Sequence, residues 1–214
     1  MLRRAVLALG LLLGLAACAA EPVWAPDEAV ARARFEPVGP PTVTLYTMVS
    51  NRSGAGGHSA LMIDGDQRLL FDPAGTWHHP AAPERNDVIF GMSPQLLGFY
   101  IDYHARETYH VVAQEIEVSP EVAAQLSRAV QEHGAVPKAQ CSLSISSILR
   151  QVPGWDHIGR SYFPVRTMNA FAEIPGVRSE QIFDDDSDNN TEILARQARA
   201  EVRAQEVEAA LGGT

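Results

Sequence analysis

The chain has 214 residues, 46% of them hydrophobic, enough apolar material for one folded domain with tails. Asp and Glu number 26 against 17 Lys and Arg, a formal net charge of −9. An acidic surface argues against nucleic acid or anionic lipid as a partner, because both need a basic footprint.

The chain opens as a secretory signal. Arg3 and Arg4 are its basic start, residues 5–15 its apolar stretch, and Leu15-Ala16-Ala17-Cys18 its processing site. The stretch is shorter than the about 20 apolar residues of a spanning helix. The last four residues resemble the lipobox of bacterial lipoproteins. That resemblance implies removal of residues 1–17, diacylglyceryl transfer to Cys18 and a membrane tether through the amino-terminal lipid. Ala19 favours outer-membrane sorting with a periplasm-facing domain, inner-membrane retention being the alternative. Loss of Arg3 and Arg4 leaves 15 basic against 26 acidic residues, a net charge of −11.

Residues 18–41 are rich in proline, alanine and charge and read as a tether, with a short helix over 27–35. The domain is expected over 42–183. Residues 43–49 are β-branched and aromatic, a good strand, and 50–57 form a glycine-rich loop that ends before His58. Residues 59–63 are apolar on both faces and predict a central strand. Asp64-Gly65-Asp66 is a hairpin turn, 67–72 a third strand and 73–86 a loop. Residues 96–106 predict a helix and 109–118 a strand. Ser119-Pro120-Glu121 opens the next helix with a serine cap, a first-turn proline and an acid at the positive end of the dipole; the helix stops at Gly134. A further helix runs from Cys141 to Val152, and 162–171 contribute mixed structure. Residues 184–214 form an acidic turn, read as a solvated cap, and a charged alanine-rich helix from Thr191 to Leu211.

With Cys18 assigned to the lipid, Cys141 is the one remaining thiol, and in an exported chain it has no disulfide partner within the sequence. Its place at a helix start favours the thiolate, and the free N–H groups there also suit an oxyanion. His58 is a candidate base, and Asp72, 14 residues on across one hairpin, a candidate to orient it. A plainer reading stands beside this one. Cys141, Ile145, Ile148, Leu149 and Val152 share one helical stripe, so Cys141 also fits as a small core residue, while His58 and Asp72 also fit as loop and turn formers.

The order Gly57-His58-Ser59-Ala60-Leu61-Met62-Ile63, a hairpin, Leu70-Phe71-Asp72-Pro73-Ala74-Gly75, a strand, a Ser-Pro-Glu helix and then the Cys141 helix resembles the circularly permuted NlpC-type papain-like hydrolases. The lecithin–retinol acyltransferase-like enzymes share that arrangement. The resemblance covers residues 43–153, about half the chain. It implies an α+β, permuted papain-like fold, a small antiparallel sheet packed against a cysteine-bearing helix. It also implies that Cys141 is the nucleophile, His58 the base and Asp72 the orienting residue. The expected function is a cysteine hydrolase or acyltransferase acting on a cell-envelope amide or ester: a peptidoglycan peptide, a lipid or a protein. The alternative is a non-catalytic envelope lipoprotein that binds a ligand or partner in the same cleft. No cofactor is implied. No metal is expected: the acidic turn lacks an EF-hand glutamate, and the spacings of His78, His79, His104 and His110 fit no standard site. Trp77 and His78 are expected at the cleft mouth.

Overall fold

The computed structural model describes residues 20–197 and 199. The expected signal, Cys18 and the last turns of the carboxy-terminal helix lie outside the described residues. The elements are α1 (Asp27–Ala33), β1 (Thr42–Ser50), β2 (Gly56–Asp64), β3 (Arg68–Phe71), β4 (Glu84–Arg85), β5 (Val88–Phe90), α2 (Pro94–His104), β6 (Tyr109–Glu117), α3 (Pro120–His133), α4 (Cys141–Leu149), α5 (Pro164–Ala172) and β7 (Arg178–Ile182). Residues 190–197 are also helical. No described helix is long and apolar enough to cross a membrane.

The fold is α+β around a seven-stranded antiparallel sheet in the order β4-β5-β3-β2-β1-β6-β7. β1 is an interior strand between β2 and β6 and is buried on both faces, which explains a run of Val, Thr, Leu, Tyr and Met with no charged residue. On one face Val43, Leu45, Leu61 and Ile63 pack against α3, α4 and α5 through Leu126, Ile145, Ile148 and Phe171. On the other face Tyr46, Met48, Ala60 and Met62 pack against α2 and residues 190–197 through Leu96, Tyr100, Tyr103 and Ile193. α3 has the expected ends: the Ser119 hydroxyl accepts from the Val122 N–H, and Gly134 closes the helix at a φ of 80°.

The sheet is larger than expected. β4 lies inside the predicted 73–86 loop, joined to β5 by Asn86 and Asp87, whose φ values of 46° and 67° are those of a type I′ hairpin. β7 is an edge strand whose residues are mostly exposed, so no apolar alternation marks it. α4 ends three residues before Val152, where the chain turns tightly instead.

Both tails lie against the domain. From Trp24 the predicted tether is held to β4: the Ala25 N–H donates to the Glu84 carbonyl at 2.9 Å, and the Arg85 guanidinium covers the Trp24 ring. The acidic turn, expected as a solvated cap, is instead an anchor, since Asp186 pairs at 3.0 Å with Arg106, which is buried. Gln197 is buried and donates to the Phe99 carbonyl at 2.9 Å.

Candidate functional site

β2 is longer than its partner on one side. Its ladder with β3 covers Leu61–Asp64 only, so the strand edge at residues 56–60 has no β3 neighbour. Register carried one step past Phe71 puts Asp72 opposite Ala60, on the face that also carries His58. The two side chains meet diagonally: the His58 Nε2–H donates to Asp72 Oδ1 at 2.6 Å. That bond leaves Nδ1 for the thiol.

Cys141 is the first residue of α4 and reaches the open edge of β2 from the opposite side of the sheet. Its sulfur lies close enough to His58 and to the backbone N–H groups of Ser59 and Ser142 for each to favour the thiolate. No side chain caps the helix start, since Gln140 makes no capping bond, which leaves the Ser142 N–H to the sulfur. Ile145, Ile148, Leu149 and Val152 join the apolar core, as the helical stripe predicts; Cys141, 7% exposed, stands at the end of the stripe and outside that cluster. Ser142, wholly buried, fixes this end of α4 to α5 by a 2.8 Å bond to the Thr167 hydroxyl.

Glycines make room for the site. A Cβ at Gly57 would lie 2.7 Å from the Tyr109 ring, and one at Gly75 would collide with the Asp72 carboxylate. Asp87, which the sequence reading passed over, ties two of the supporting loops together. Its carboxylate accepts from the Val136 N–H at 2.7 Å and lies close enough to the Ala74 backbone for that residue to favour its charge, so the loops leading to Cys141 and away from Asp72 meet at one side chain.

The electrostatics follow from this geometry. Burial pushes the His58 imidazole towards neutrality, but the Asp72 carboxylate and its hydrogen bond, with the thiolate, raise its pKa to about 10. Burial likewise raises Asp72, and the His58 charge and hydrogen bond outweigh it, with the Tyr100 hydroxyl adding a 2.9 Å bond to the same Oδ1; the net shift is downward. For Cys141 burial opposes the thiolate, yet His58 and the two N–H groups bring the thiol below its ordinary value. The arrangement therefore favours thiolate and imidazolium over the neutral pair.

No family model matches the chain, and no curated protein and no solved structure matches it. Chemistry therefore rests on the arrangement itself.

The structure brings Cys141, His58 and Asp72 together and adds two residues from α2. Tyr100 and His104, one helical turn apart, face Asp72 and His58; their rings are 4.3 Å apart. The signal available in the sequence was that i, i+4 pair, but nothing there showed which strand the helix covers. Trp77 and His78 are not at a cleft mouth. Trp77 is 2% exposed, with its indole N–H on Gln197 Oε1 at 3.2 Å, and His78 is exposed elsewhere. His110 is bonded to Asn51 at 2.7 Å and stacks on Phe183. Asp102, Asp184 and Asp186 put three carboxylate oxygens within 4.8 Å of one another. Arg106 and Arg196 already pair with Asp102 and Asp186, so guanidinium groups occupy two of the three carboxylates. A pocket of about 380 Å³ opens beside His58 and His104, with Met48, Tyr103, Arg106 and Tyr109 in its wall.

Proposed function

We propose that this protein is a thiol hydrolase or acyltransferase of permuted papain-like architecture, with Cys141 as nucleophile, His58 as its acid and base, and Asp72 as the residue that orients His58. One juxtaposition carries the reading: His58 is bonded through Nε2 to a buried carboxylate and stands close enough to Cys141 for each to shift the other's charge.

The thiolate attacks the carbonyl carbon of an amide or ester, and backbone N–H groups at the start of α4 receive the developing oxyanion. The His58 Nδ1 proton passes to the leaving nitrogen or oxygen, the carbon–heteroatom bond breaks, and a thioester remains on Cys141. Water then gives a proton to His58 while its oxygen attacks the thioester, releasing the acid and restoring the thiolate. An amine or alcohol in place of that water makes the reaction an acyl transfer.

The first test is the rate at which an electrophilic thiol probe labels Cys141 at neutral pH. An unperturbed thiol is only about 3% thiolate there, so the paired form labels about 10- to 30-fold faster than in His58→Ala. Equal, slow labelling of both proteins would refute the reading. A second reading, a binding domain without chemistry, draws on the pocket wall, which takes in His58 and not Cys141; it predicts that slow result.

The same proposal extends to the cell. Lipid on Cys18 holds the domain on the periplasmic side of the outer membrane, beside its cell-envelope amide or ester. Cys18→Ser moves the protein from the membrane to the soluble fraction, and an unchanged partition would contradict the tether.

A further inference from the structure

His104 plays no part in the thiol chemistry above, yet it lies against the residue that does. Its ring stacks on His58 with centroids 5.9 Å apart and planes 11° apart. Its Nδ1 is 2.8 Å from the Tyr100 carbonyl oxygen, which only accepts, so Nδ1 carries the proton. Burial, helped by the His58 charge and opposed by Asp72, pushes its pKa down to about 4 and keeps the ring neutral. A neutral imidazole has one N–H, so Nε2 is a bare acceptor. The hydrogen bonds among the described residues give it no donor.

His104 and His58 share the wall of the 380 Å³ pocket. Asp188 adds a carboxylate to that wall, and both its cations are paired: Arg106 with Asp102 at 2.9 Å and Asp186 at 3.0 Å, although its buried Nε makes no hydrogen bond, and His58 with Asp72 at 2.6 Å. The wall therefore has acceptors to offer and cations already matched by carboxylates. We propose that His104 is a specificity-determining residue: its Nε2 accepts a hydrogen bond from an N–H or O–H group of the acyl substrate. The pocket then takes a donor-bearing group and rejects a carboxylate. This inference rests on the thiol reading of Cys141 for its kinetic test and has a second test that does not.

Three chloroacetamides of equal length, ending in hydroxyl, methyl or carboxylate, are reacted with the full chain and followed by intact mass. The hydroxyl probe labels Cys141 about tenfold faster than the methyl probe, the size of one hydrogen bond, and the carboxylate probe is slowest. His104→Phe keeps a stacking ring and removes the acceptor, which brings hydroxyl and methyl within about twofold. His104→Gln keeps a carbonyl acceptor and retains the preference. Equal hydroxyl and methyl rates in the wild type would overturn the proposal, as would a preference that survives His104→Phe. If no probe outpaces a free thiol, the Cys141 reading has failed, and ¹⁵N-histidine spectra decide the rest. Glycinamide, and not acetate, then shifts the His104 Nε2 resonance; no shift with glycinamide overturns the proposal.

Discussion

The two faces of the sheet are built from different chemistry. The α3–α4–α5 face is an apolar core in which Leu61, Ile63, Ile145, Ile148 and Phe171 interdigitate. The α2 face is aromatic and titratable: Asp72, Tyr100 and His104 are packed among Tyr46, Trp77 and Tyr103. Cys141 comes from the first face and the His58–Asp72 pair from the second. They meet where β3 stops and the edge of β2 is open. The apolar face sets where the thiol stands, and the aromatic face sets the charge of its partner.

Substitutions on the two faces should therefore separate stability from reactivity. The largest effect is expected for Asp72→Ala, which leaves the His58 imidazole buried without its partner and the Tyr100 hydroxyl without an acceptor. Breaking a buried pair this way costs about 3–5 kcal/mol. It also brings Cys141 labelling down to the His58→Ala rate, both effects being read by denaturant titration and probe kinetics. Ile145→Ala, at a site with no exposed surface on the other face, opens a cavity costing about 2–5 kcal/mol. Labelling of its folded fraction should be unchanged. Were Ile145→Ala to slow labelling as far as Asp72→Ala does, the division between the faces would not hold.

How much of this was legible follows the range of each signal. β1, β6 and α3 declare themselves through local patterning and caps, and their observed bounds fall close to the expected ones. The Cys141, His58 and Asp72 candidates were legible because residue type and helix position carry the chemistry. Tyr100 and His104 were not, because their role depends on which strands α2 covers, a matter of tertiary packing. β7 and the docked segment at Trp24–Ala25 were hidden for a related reason: their stabilising contacts are backbone bonds to distant strands, which leave no mark on composition. β4 pairs locally with β5 but is only two residues long, too short to carry a pattern. Asp87 carries no local sign of its role, because its bond to Val136 spans 49 positions.

The smallest effect is the most direct test of the charge state at the seam. On the proposed pairing the folded site holds one proton, on His58, with Cys141 as the thiolate. Unfolded, His58 and Cys141 titrate independently at 6.5 and 9.0. Below pH 6.5 the unfolded pair holds two protons against one, so stability rises with pH. His104, depressed from 6.5 to about 4, acts in the same direction over that interval. Between 6.5 and 9.0 both states of the pair hold one proton, and its contribution is flat. Above 9.0 the unfolded pair holds none while His58 keeps its proton to about 10, so stability falls. Cys141→Ser removes the compensating thiolate. The His58 imidazole, still raised by Asp72 but without the thiolate's share, then contributes stability that is full below 6.5 and lost as pH rises through its folded pKa, which lies below the wild-type value of about 10. The decline is at most about 1.4 kcal/mol per pH unit, measured by urea unfolding in the wild type and the variant. A wild-type decline from 6.5 to 9.0 as steep as the variant's would mean that the sulfur enters the fold as a neutral thiol. The aromatic face would then charge His58 without charging Cys141.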